Sequence, residues 1–447
     1  MDLKGASGYK MCPACQRICL HTTKPAKLGN NVRSTCLDAS LFRPQTRETI
    51  RAIVDELQRL FDEVRAGRTT NAVLKRAEYH YGFNHTPLGL LSDEALCDDP
   101  RDALYFDWYH VFVISGLFQK DLQALCVYFI AAKVDAVGMA KRFISGWTWP
   151  RCVASPREMF SDLHINHDHL KLDGHTCTAS YDVLAVFVLT TLMATGVCAL
   201  QCEAYLKLCD CLDLILSSKY GVVGVAQLQT AIMVYLRAHV AAYGDRMWVP
   251  KHHYALHLAR QLVIPGMLLG CNLHEIRHKM AKRWARDRFT QVSFESGCIE
   301  EITLQHLHDM KNDWLVEGLL DPTEPRAYLL ASMREMFGAA ATVLTAGKVR
   351  ANCRQFCAGD YAFARVGGEL VLVRMEFHVS IDTIARTCVA LFTSAPGAND
   401  NEWCRTYKSA DNAKMIASSA LVASVTYLER GSSICAIIPA IVRMEMR

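Results

Sequence analysis

The chain has 447 residues, of which 51% are hydrophobic and 21% are charged. This balance excludes an intrinsically disordered chain, and the length is enough for two or three domains with large cores. The formal net charge of +4 is too small for a chain of this length to indicate nucleic-acid binding by itself. Any such function must therefore depend on a local concentration of charge.

The cysteines predict a reducing compartment. The sequence contains 19 of them, scattered singly or in uneven groups, and the N-terminal residues around Lys4 and Lys10 do not form a secretory signal. We therefore expect free thiols and a location in the nucleus or the cytoplasm. The uncharged segment Val183–Cys202 is long enough to raise the question of a membrane span. Its threonines and its glycine favour a buried core helix, so we expect no membrane partner.

The first candidate metal site lies in KGASGYKMCPACQRICLHTTK. A Cys-x-x-Cys turn directs Cys12 and Cys15 toward one point, which is half of a tetrahedral zinc site. Cys19 and His21 are close enough to complete it, and Cys36 is a further candidate. We take Cys12, Cys15, Cys19 and His21 as the candidate Zn²⁺ ligands. Buried free cysteines without a metal are the alternative.

Helical patterns dominate the chain up to about residue 346. Apolar residues recur at three- and four-residue spacing from Thr46 to about Gly67, which predicts an amphipathic core helix. Further predicted helices span 111–134, 136–146, 180–216 and 225–243. The four histidines of HINHDHLKLDGH match no standard ligand spacing and are interpreted as loop residues.

A short apolar run, Ala103–Phe106, ends at Asp107. A hydrophobic strand that delivers an aspartate at its C-terminal end is a common source of active-site carboxylates in α/β folds. A surface aspartate that closes a strand is the simpler interpretation, and the local sequence by itself favours it.

The composition changes near Arg350. The segments GDYAFARVGGELVLVRMEFHVS, TCVALFTS, ALVASVTYLE and SICAIIPAIVR are typical of short strands separated by glycine- and proline-containing turns. They predict a separate small β domain whose sheet curls into a barrel.

The stretch with the largest excess of positive charge is WVPKHHYALHLARQLVIPGMLLGCNLHEIRHKMAKRWARDR, which contains five histidines. From Arg246 to Arg288, nine lysines and arginines face only Glu275 and Asp287, which gives a local net charge of +7. The spacing from Leu273 onward predicts a helix with Glu275 among the bases. A solvated helix face is one interpretation, and a DNA-binding face is the other. The candidate DNA-binding residues are Arg277, Lys279, Lys282, Arg283, Arg286 and Arg288.

The pentapeptide HEIRH, His274–His278, matches the H-E-x-x-H motif, in which two histidines hold zinc and the glutamate activates water. However, Arg277 and Lys279 place cations where the metal would sit. Ala281 and Trp284 stand where a metzincin needs glycine and histidine. A zinc metalloprotease is therefore the weaker hypothesis.

A second hypothesis pairs Asp107 with Glu275 as carboxylates for a divalent cation that acts on phosphodiesters. The motifs KGASGYKMCPAC, AEYHYGFNHTPLGLL, LYFDWYHVFVISGLF, WVPKHHYALHLARQL and LHEIRHKMAKRWA follow one another in the chain. In this order and spacing the chain resembles the DDE transposases of the CACTA and KDZ/Plavaka groups, especially their divergent multicopy forms in protist genomes. The resemblance covers about residues 1–345, and the β domain resembles the tail of such proteins.

The resemblance implies an RNase H-like core with a DDE triad, interrupted by a helical insertion between the second and third acids. Asp107 in FDWYH matches the second acid and Glu275 in HEIRHK matches the third. Cys12 and Cys15 match the family's cysteine knuckle. The resemblance further implies Mg²⁺ or Mn²⁺ as the catalytic cation, DNA as the partner and possible homo-oligomers.

The chain departs from the family at the first acid. In the family the first aspartate precedes the KGASG segment, whereas here only Asp2 stands before that segment. We therefore expect a mainly α protein with an incomplete RNase H-like α/β core and a C-terminal β-barrel-like domain. The expected parts are a core remnant with the knuckle (1–110), the helical insertion (111–245), the core return with the basic helix (246–346) and the β domain (347–447). A helical protein-interaction module without a nucleic-acid role is the alternative.

If one of three metal-binding acids is lost, too little remains to position the catalytic cations. We therefore expect the purified chain, supplied with Mg²⁺ or Mn²⁺ and transposon-end DNA, to show no efficient cleavage or strand transfer in a gel assay. Robust cleavage that Asp107→Ala abolishes would contradict this expectation.

Overall fold

The structure is a computed structural model. It describes residues 9–86, 99, 104–153, 155–160, 165–166, 169–170, 172–263, 266–270, 294–311, 317–397 and 400–446. The fold is a mixture of helix and sheet, with about 48% helix and 22% strand, so helix predominates as expected.

The secondary-structure elements are as follows. The helices are α1 (Arg47–Arg65), α2 (Asn71–Tyr81), α3 (Trp108–Phe112), α4 (Leu117–Ala131), α5 (Ala136–Ser145), α6 (Gly174–Phe187), α7 (Ala199–Ser217), α8 (Val225–Tyr243), α9 (Pro250–Gln261), α10 (Phe294–Lys311), α11 (Ala327–Phe337) and α12 (Ala440–Met446). The strands are β1 (Ile18–Cys19), β2 (Val32–Arg33), β3 (Ile165–Asn166), β4 (His169–Leu170), β5 (Gly318–Leu320), β6 (Val343–Ala346), β7 (Lys348–Ala351), β8 (Arg354–Cys357), β9 (Tyr361–Val366), β10 (Glu369–Ile381), β11 (Ile384–Ser394), β12 (Cys404–Ala417), β13 (Leu421–Ser424), β14 (Tyr427–Arg430) and β15 (Ser433–Ile437).

The chain folds into two compact units, and each contains two separate segments. Unit 1 comprises Met1–Ala131 and Cys198–Gly270, and unit 2 comprises Ala132–Val197 and Cys271–Arg447. The segment expected to form one helical insertion, 111–245, is therefore divided. Its helices α4, α7 and α8 belong to unit 1, whereas α5 and α6 belong to unit 2.

Helix α1 confirms the predicted amphipathic helix. At its start the Thr46 hydroxyl accepts the N–H of Thr49, and the Thr49 hydroxyl accepts the N–H of Thr46, so two otherwise unpaired donors are satisfied. Its apolar face is buried and packs with α2 around Leu57, Leu74 and Phe83. Helices α3, α4, α7, α8 and α9 are the other described helices of unit 1.

The predicted helix 180–216 is not continuous. Helix α6 ends at Phe187 and continues through a π turn and a 3-10 turn to Gly196, which adopts a left-handed backbone with φ of 73°. A glycine in the left-handed conformation ends a helix because it turns the chain back, so that the N–H groups that follow can donate to the last free carbonyls of the helix. Helix α7 then begins at Ala199, in the other unit.

The predicted strand before Asp107 is absent from the described residues. Residues 104–107 have no regular secondary structure, and Asp107 instead precedes helix α3. Its side chain accepts the N–H of Tyr109 at 2.9 Å, as an N-terminal helix cap does. The aspartate is therefore held by a helix start and not by a strand end.

Unit 2 contains the predicted β region as an antiparallel sheet. The strand order is β13-β9-β10-β11-β12-β15-β14, and β6 also pairs with β10. Successive residues of β9 enter different cores, with Tyr361 and Phe363 in one and Ala362 and Ala364 in the other. Both faces of this strand are therefore buried, which explains its apolar sequence.

The barrel prediction is wrong in one respect, because the described strands do not close into a barrel. The backbone of Tyr427 in β14 exchanges two hydrogen bonds with Thr148, at 2.8 and 3.0 Å. In β13, the Leu421 carbonyl accepts a hydrogen bond from the Asn352 side chain. Other segments of unit 2 therefore occupy the two edges that closure would have joined. The segment SICAIIPAIVR is also only partly a strand, since α12 begins directly after Pro439.

Two helical stretches in the described part of the chain, Trp108–Ala131 and Gly174–Thr195, have the length and apolar composition of a membrane span. In each, 56% of the apolar window is buried inside the protein. Buried core helices of globular proteins have the same composition.

Helix α7 allows a matched test of packing in unit 1. Leu208 is fully buried, whereas Leu200 is 52% exposed on the same helix. We expect Leu208→Ala to lower the free energy of unfolding by about 2–5 kcal/mol, through lost burial and the cavity that remains. Leu200→Ala should change it by less than about 0.5 kcal/mol. Urea denaturation followed by circular dichroism measures both, and equal effects would contradict this packing.

Candidate metal centre

A tight turn holds the two cysteines of the Cys-x-x-Cys motif. The N–H of Met11 donates to the carbonyl of Ile18 at 3.2 Å, and the N–H of Cys15 donates to the carbonyl of Cys12 at 3.4 Å. Both side chains are buried, with 2% exposure each. The turn therefore presents two sulfur atoms on one side, as the sequence predicts.

Helix α9 supplies two histidines to the same point. Pro250 occupies the first turn of α9, where its missing N–H costs nothing. His253 and His257 are four residues apart, so their side chains lie on the same face of the helix. Both imidazoles are directed toward the cysteine turn of unit 1.

The four candidate ligand atoms lie close together. Nε2 of His257 is 3.2 Å from the Cys12 sulfur, 3.5 Å from the Cys15 sulfur and 3.2 Å from Nε2 of His253. Nε2 of His253 is 3.6 Å from the Cys15 sulfur. All four atoms lie within 4.8 Å of one another.

These separations fit tetrahedral coordination. Zinc bonds of about 2.3 Å to sulfur and 2.0–2.1 Å to nitrogen place neighbouring ligand atoms about 3.3–3.7 Å apart. The four distances of 3.2–3.6 Å given above agree with these values. The cluster of Cys12, Cys15, His253 and His257 could hold a metal ion such as zinc.

Aromatic rings fix the orientation of the two imidazoles. The ring of Phe106 stacks on His257 with centroids 4.8 Å apart and an interplanar angle of 13°. Phe42 meets the edge of His253 at 5.0 Å. The Tyr254 hydroxyl donates to the carbonyl of Met11 at 2.7 Å, which ties α9 directly to the cysteine turn.

The two cysteines differ in their electrostatics. The hydrogen bond from Cys12, followed by those from the two histidines, lowers the pKa of Cys15 to about 3 despite its burial. Burial raises the pKa of Cys12, and the neighbouring Cys15 raises it further. Burial also lowers the pKa of His253, which keeps its imidazole neutral. A thiolate beside a neutral imidazole is the protonation state that a transition metal binds.

A cavity of about 130 Å³ opens beside Cys15 and His257. Its other walls are mostly apolar and add no further thiol, imidazole or carboxylate. Four protein ligands and an apolar surround are typical of a structural site, because a catalytic zinc site keeps one position for water or substrate.

The remaining two candidate ligands lie elsewhere. Cys19 is buried in β1, where its sulfur interacts with the Tyr9 hydroxyl, and burial raises the pKa of its thiol. His21 is only partly buried, and burial lowers the pKa of its imidazole. Neither side chain belongs to the described cluster of Cys12 and Cys15.

Asp107 lies near the metal cluster but is not part of it. Its carboxylate accepts the N–H of Tyr109 and pairs with Nδ1 of His110. Lys251 of α9 binds the segment that follows, since its ammonium group donates to the carbonyls of His110, Ile114 and Ser115. Asp107 is thus held by the start of α3, and Lys251 holds the segment that follows it.

The other predicted functional residues lie outside the described residues. They are Glu275 and the basic positions Arg277, Lys279, Lys282, Arg283, Arg286 and Arg288. The complete HEIRH pentapeptide lies there as well, so the pairing of Asp107 with Glu275 stays a prediction.

The sequence interpretation missed His253 and His257 as partners of the cysteines. The available signal was a pair of half-sites, a Cys-x-x-Cys turn and a His-x-x-x-His helix, each of which presents two ligands on one face. No family model matches the chain, and no curated protein matches it either.

The ligand set of the structure, in which His253 and His257 join the two cysteines, and the set expected from the sequence, in which Cys19 and His21 join them, predict different effects of substitutions on metal content. Because a tetrahedral site with three ligands binds zinc far more weakly, Cys12→Ser or His257→Asn should lose the metal ion bound at this cluster and lower the melting temperature. Cys19→Ser and His21→Asn are the matched controls and should retain it. Mass spectrometric metal analysis of the purified chains measures the content. Loss of metal in the controls but not in His257→Asn would favour the N-terminal ligand set instead.

Proposed function

We propose that this protein is a transposase-like DNA-binding protein in which a structural zinc ion joins the N-terminal cysteine turn to helix α9. The convergence of three distant sequence motifs at one cluster supports the proposal. KGASGYKMCPAC supplies Cys12 and Cys15, and WVPKHHYALHLARQL supplies His253 and His257. LYFDWYHVFVISGLF supplies Phe106, which stacks on one of the ligands.

These are three of the motifs on which the resemblance to the CACTA and KDZ/Plavaka transposases depends. Their contact is not a consequence of proximity in the chain, because 238 residues separate Cys15 from His253. A shared site gives a physical reason for these motifs to occur together, since each contributes to holding α9.

The donor set supports zinc as the metal. Thiolate ligands select zinc, copper(I) and iron–sulfur clusters, whereas carboxylate and carbonyl oxygens select magnesium and calcium. Two thiols with two imidazoles at tetrahedral distances form the usual structural zinc site. A zinc ion would fix the cysteine turn to α9. Its binding would require a reducing compartment, in which the cysteines do not form disulfides.

DNA binding follows from the local charge. The nine basic residues between Arg246 and Arg288, against two acids, form the most positive stretch of the chain. Cations at this density neutralise phosphates and release condensed counterions, which provides the main driving force for non-specific DNA binding. The metal site would anchor α9, the helix that precedes most of these residues in the chain.

The proposal assigns DNA binding, and not efficient catalysis, to the protein. Strand transfer would require Asp107 and Glu275 to bind Mg²⁺ or Mn²⁺. The Asp107 carboxylate is already engaged by the Tyr109 N–H and by His110, so a cation would have to share it with these groups.

The chain offers a matched pair for testing the DNA-binding role. Lys282 and Arg283 are adjacent, and so are Lys141 and Arg142, which are exposed on α5. We expect Lys282→Glu/Arg283→Glu to weaken binding to a fluorescent DNA duplex and to reduce the slope of log affinity against log salt concentration by about 2. Lys141→Glu/Arg142→Glu should leave both quantities unchanged.

Fluorescence anisotropy at several salt concentrations, without added Mg²⁺ or Mn²⁺, measures both quantities. Equal losses in the two variants would indicate a general charge effect and would count against a specific basic face. If the unaltered chain does not bind DNA, the alternative of a protein-interaction module without a nucleic-acid role gains support.

A further inference from the structure

A second cluster of polar side chains lies in the helical body of unit 1. Asp121 comes from α4, His239 from α8 and His252 from α9. Their exposure is 0%, 1% and 0%, so the cluster is sealed from solvent. Buried charged groups of this kind are retained in proteins when they are paired or when they coordinate a metal.

The distances bring one donor atom from each residue together. Nδ1 of His239 lies 3.3 Å from Oδ1 of Asp121, and Nε2 of His252 lies 3.9 Å from the same oxygen. The three ligand atoms lie within 4.8 Å of one another. Bonds of about 2.0–2.2 Å from a shared ion to oxygen and nitrogen would place such atoms about 3.3–3.5 Å apart.

Hydrogen bonds alone leave this cluster incomplete. Oδ1 of Asp121 and Nε2 of His252 are buried atoms without a hydrogen-bond partner, and 3.9 Å is too long for a bond between them. The other carboxylate oxygen, Oδ2, accepts the Tyr235 hydroxyl at 3.0 Å and lies 3.3 Å from Nδ1 of His239, which can also donate to it. Oδ2 is therefore satisfied, whereas Oδ1 of Asp121 and Nε2 of His252 are left unpaired 3.9 Å apart, and Nε2 of His239 is unpaired as well.

The backbone of Val249, just before α9, holds the ring of His252. Nδ1 of His252 lies 3.0 Å from the N–H of Val249, from which it can accept, and 3.1 Å from the carbonyl of Val249, to which it can donate in the other tautomer. A metal-binding histidine usually donates its second ring N–H to a carbonyl or carboxylate, which leaves the other nitrogen free to coordinate. A bound ion would select the tautomer in which Nδ1 donates to the carbonyl and the Nε2 lone pair is directed toward Asp121.

We infer that Asp121, His239 and His252 form a second metal site, distinct from the cysteine–histidine cluster, for a divalent transition-metal ion of the zinc class. A shared ion would fill the gap between Oδ1 of Asp121 and Nε2 of His252. It would also join α4, α8 and α9 at one point. This inference goes beyond the proposed DNA-binding function and does not depend on it.

Metal counting on the unaltered full-length chain tests the inference without any substitution. The protein is reconstituted with Zn²⁺, separated from free metal and analysed by mass spectrometry. Two equivalents per chain are expected. Reconstitution with Co²⁺ then distinguishes the sites, because thiolate ligands give a near-ultraviolet charge-transfer band, whereas nitrogen and oxygen ligands give only the visible ligand-field bands.

Each outcome decides the question. Two equivalents, or one equivalent without the thiolate band, support the second site. One equivalent with the thiolate band, or no bound metal, overturns it. If no metal binds, the proposed zinc site at Cys12 and Cys15 is contradicted as well. If one equivalent binds with the thiolate band, only the second site is contradicted.

Substitutions assign the second ion to its residues. Asp121→Asn should lose one equivalent and keep the thiolate band, whereas Cys12→Ser/Cys15→Ser should lose the band and keep the other ion. Asp213→Asn is the matched control, since Asp213 is also a fully buried carboxylate in unit 1, and it should keep both ions. Circular dichroism verifies that each variant is folded, and an unchanged metal count in folded Asp121→Asn would contradict the assignment.

Discussion

Helix α9 is held by buried polar contacts on several sides, and the arrangement of unit 1 depends on this constraint. Successive residues of an α-helix point about 100° apart. His252 therefore faces the buried carboxylate of Asp121, while its neighbour His253 faces the cysteine turn. Lys251 faces a third direction and binds the carbonyls that follow α3. Three consecutive side chains thus attach one helix turn to three different parts of the chain.

This arrangement limits how α9 can move. A buried polar group that loses its partner lowers the stability of the fold by about 1–3 kcal/mol, because it has lost its hydrogen bonds to water and makes none in the protein. Rotation of α9 would break contacts on all these faces at once. The stack of Phe106 on His257 and the bond from Tyr254 to Met11 act in the same direction. The helix therefore behaves as a fixed support for the groups around it, including Asp107.

Local sequence patterns predicted local structure well. The spacing of apolar residues placed α1, α5 and α8 within a residue or two of their observed bounds, since an amphipathic face must pack on a core. Alternation and turn residues likewise located six of the eight strands of the large sheet in unit 2, all except β6 and β12. The errors occurred where one residue redirects the chain. Gly196 ends a helix that composition alone would continue, and Asp107 caps a helix although an apolar run precedes it.

The sites depended on contacts that no local pattern contains. The Cys-x-x-Cys turn predicted two ligands correctly placed on one side, but the other two are on a helix far along the chain. Spacing shows only that His253 and His257 share a face, and not which face of the protein they meet. Nothing in the local sequence marked Asp121 as a candidate ligand, because an ordinary hydrogen bond explains a single aspartate in an apolar helix equally well. Closure of the sheet was unpredictable for the same reason, since Thr148 competes for its edge from outside the β region.

The separation of the two half-sites has a consequence for biosynthesis. Cys12 and His257 are 245 positions apart, and the ribosome adds residues one at a time. At about 5–20 residues per second, roughly 12–50 seconds pass between the synthesis of the first cysteine and that of the last histidine. During this interval the nascent chain carries the two thiols without their imidazole partners. The four side chains of the cluster cannot come together until α9 has left the exit tunnel.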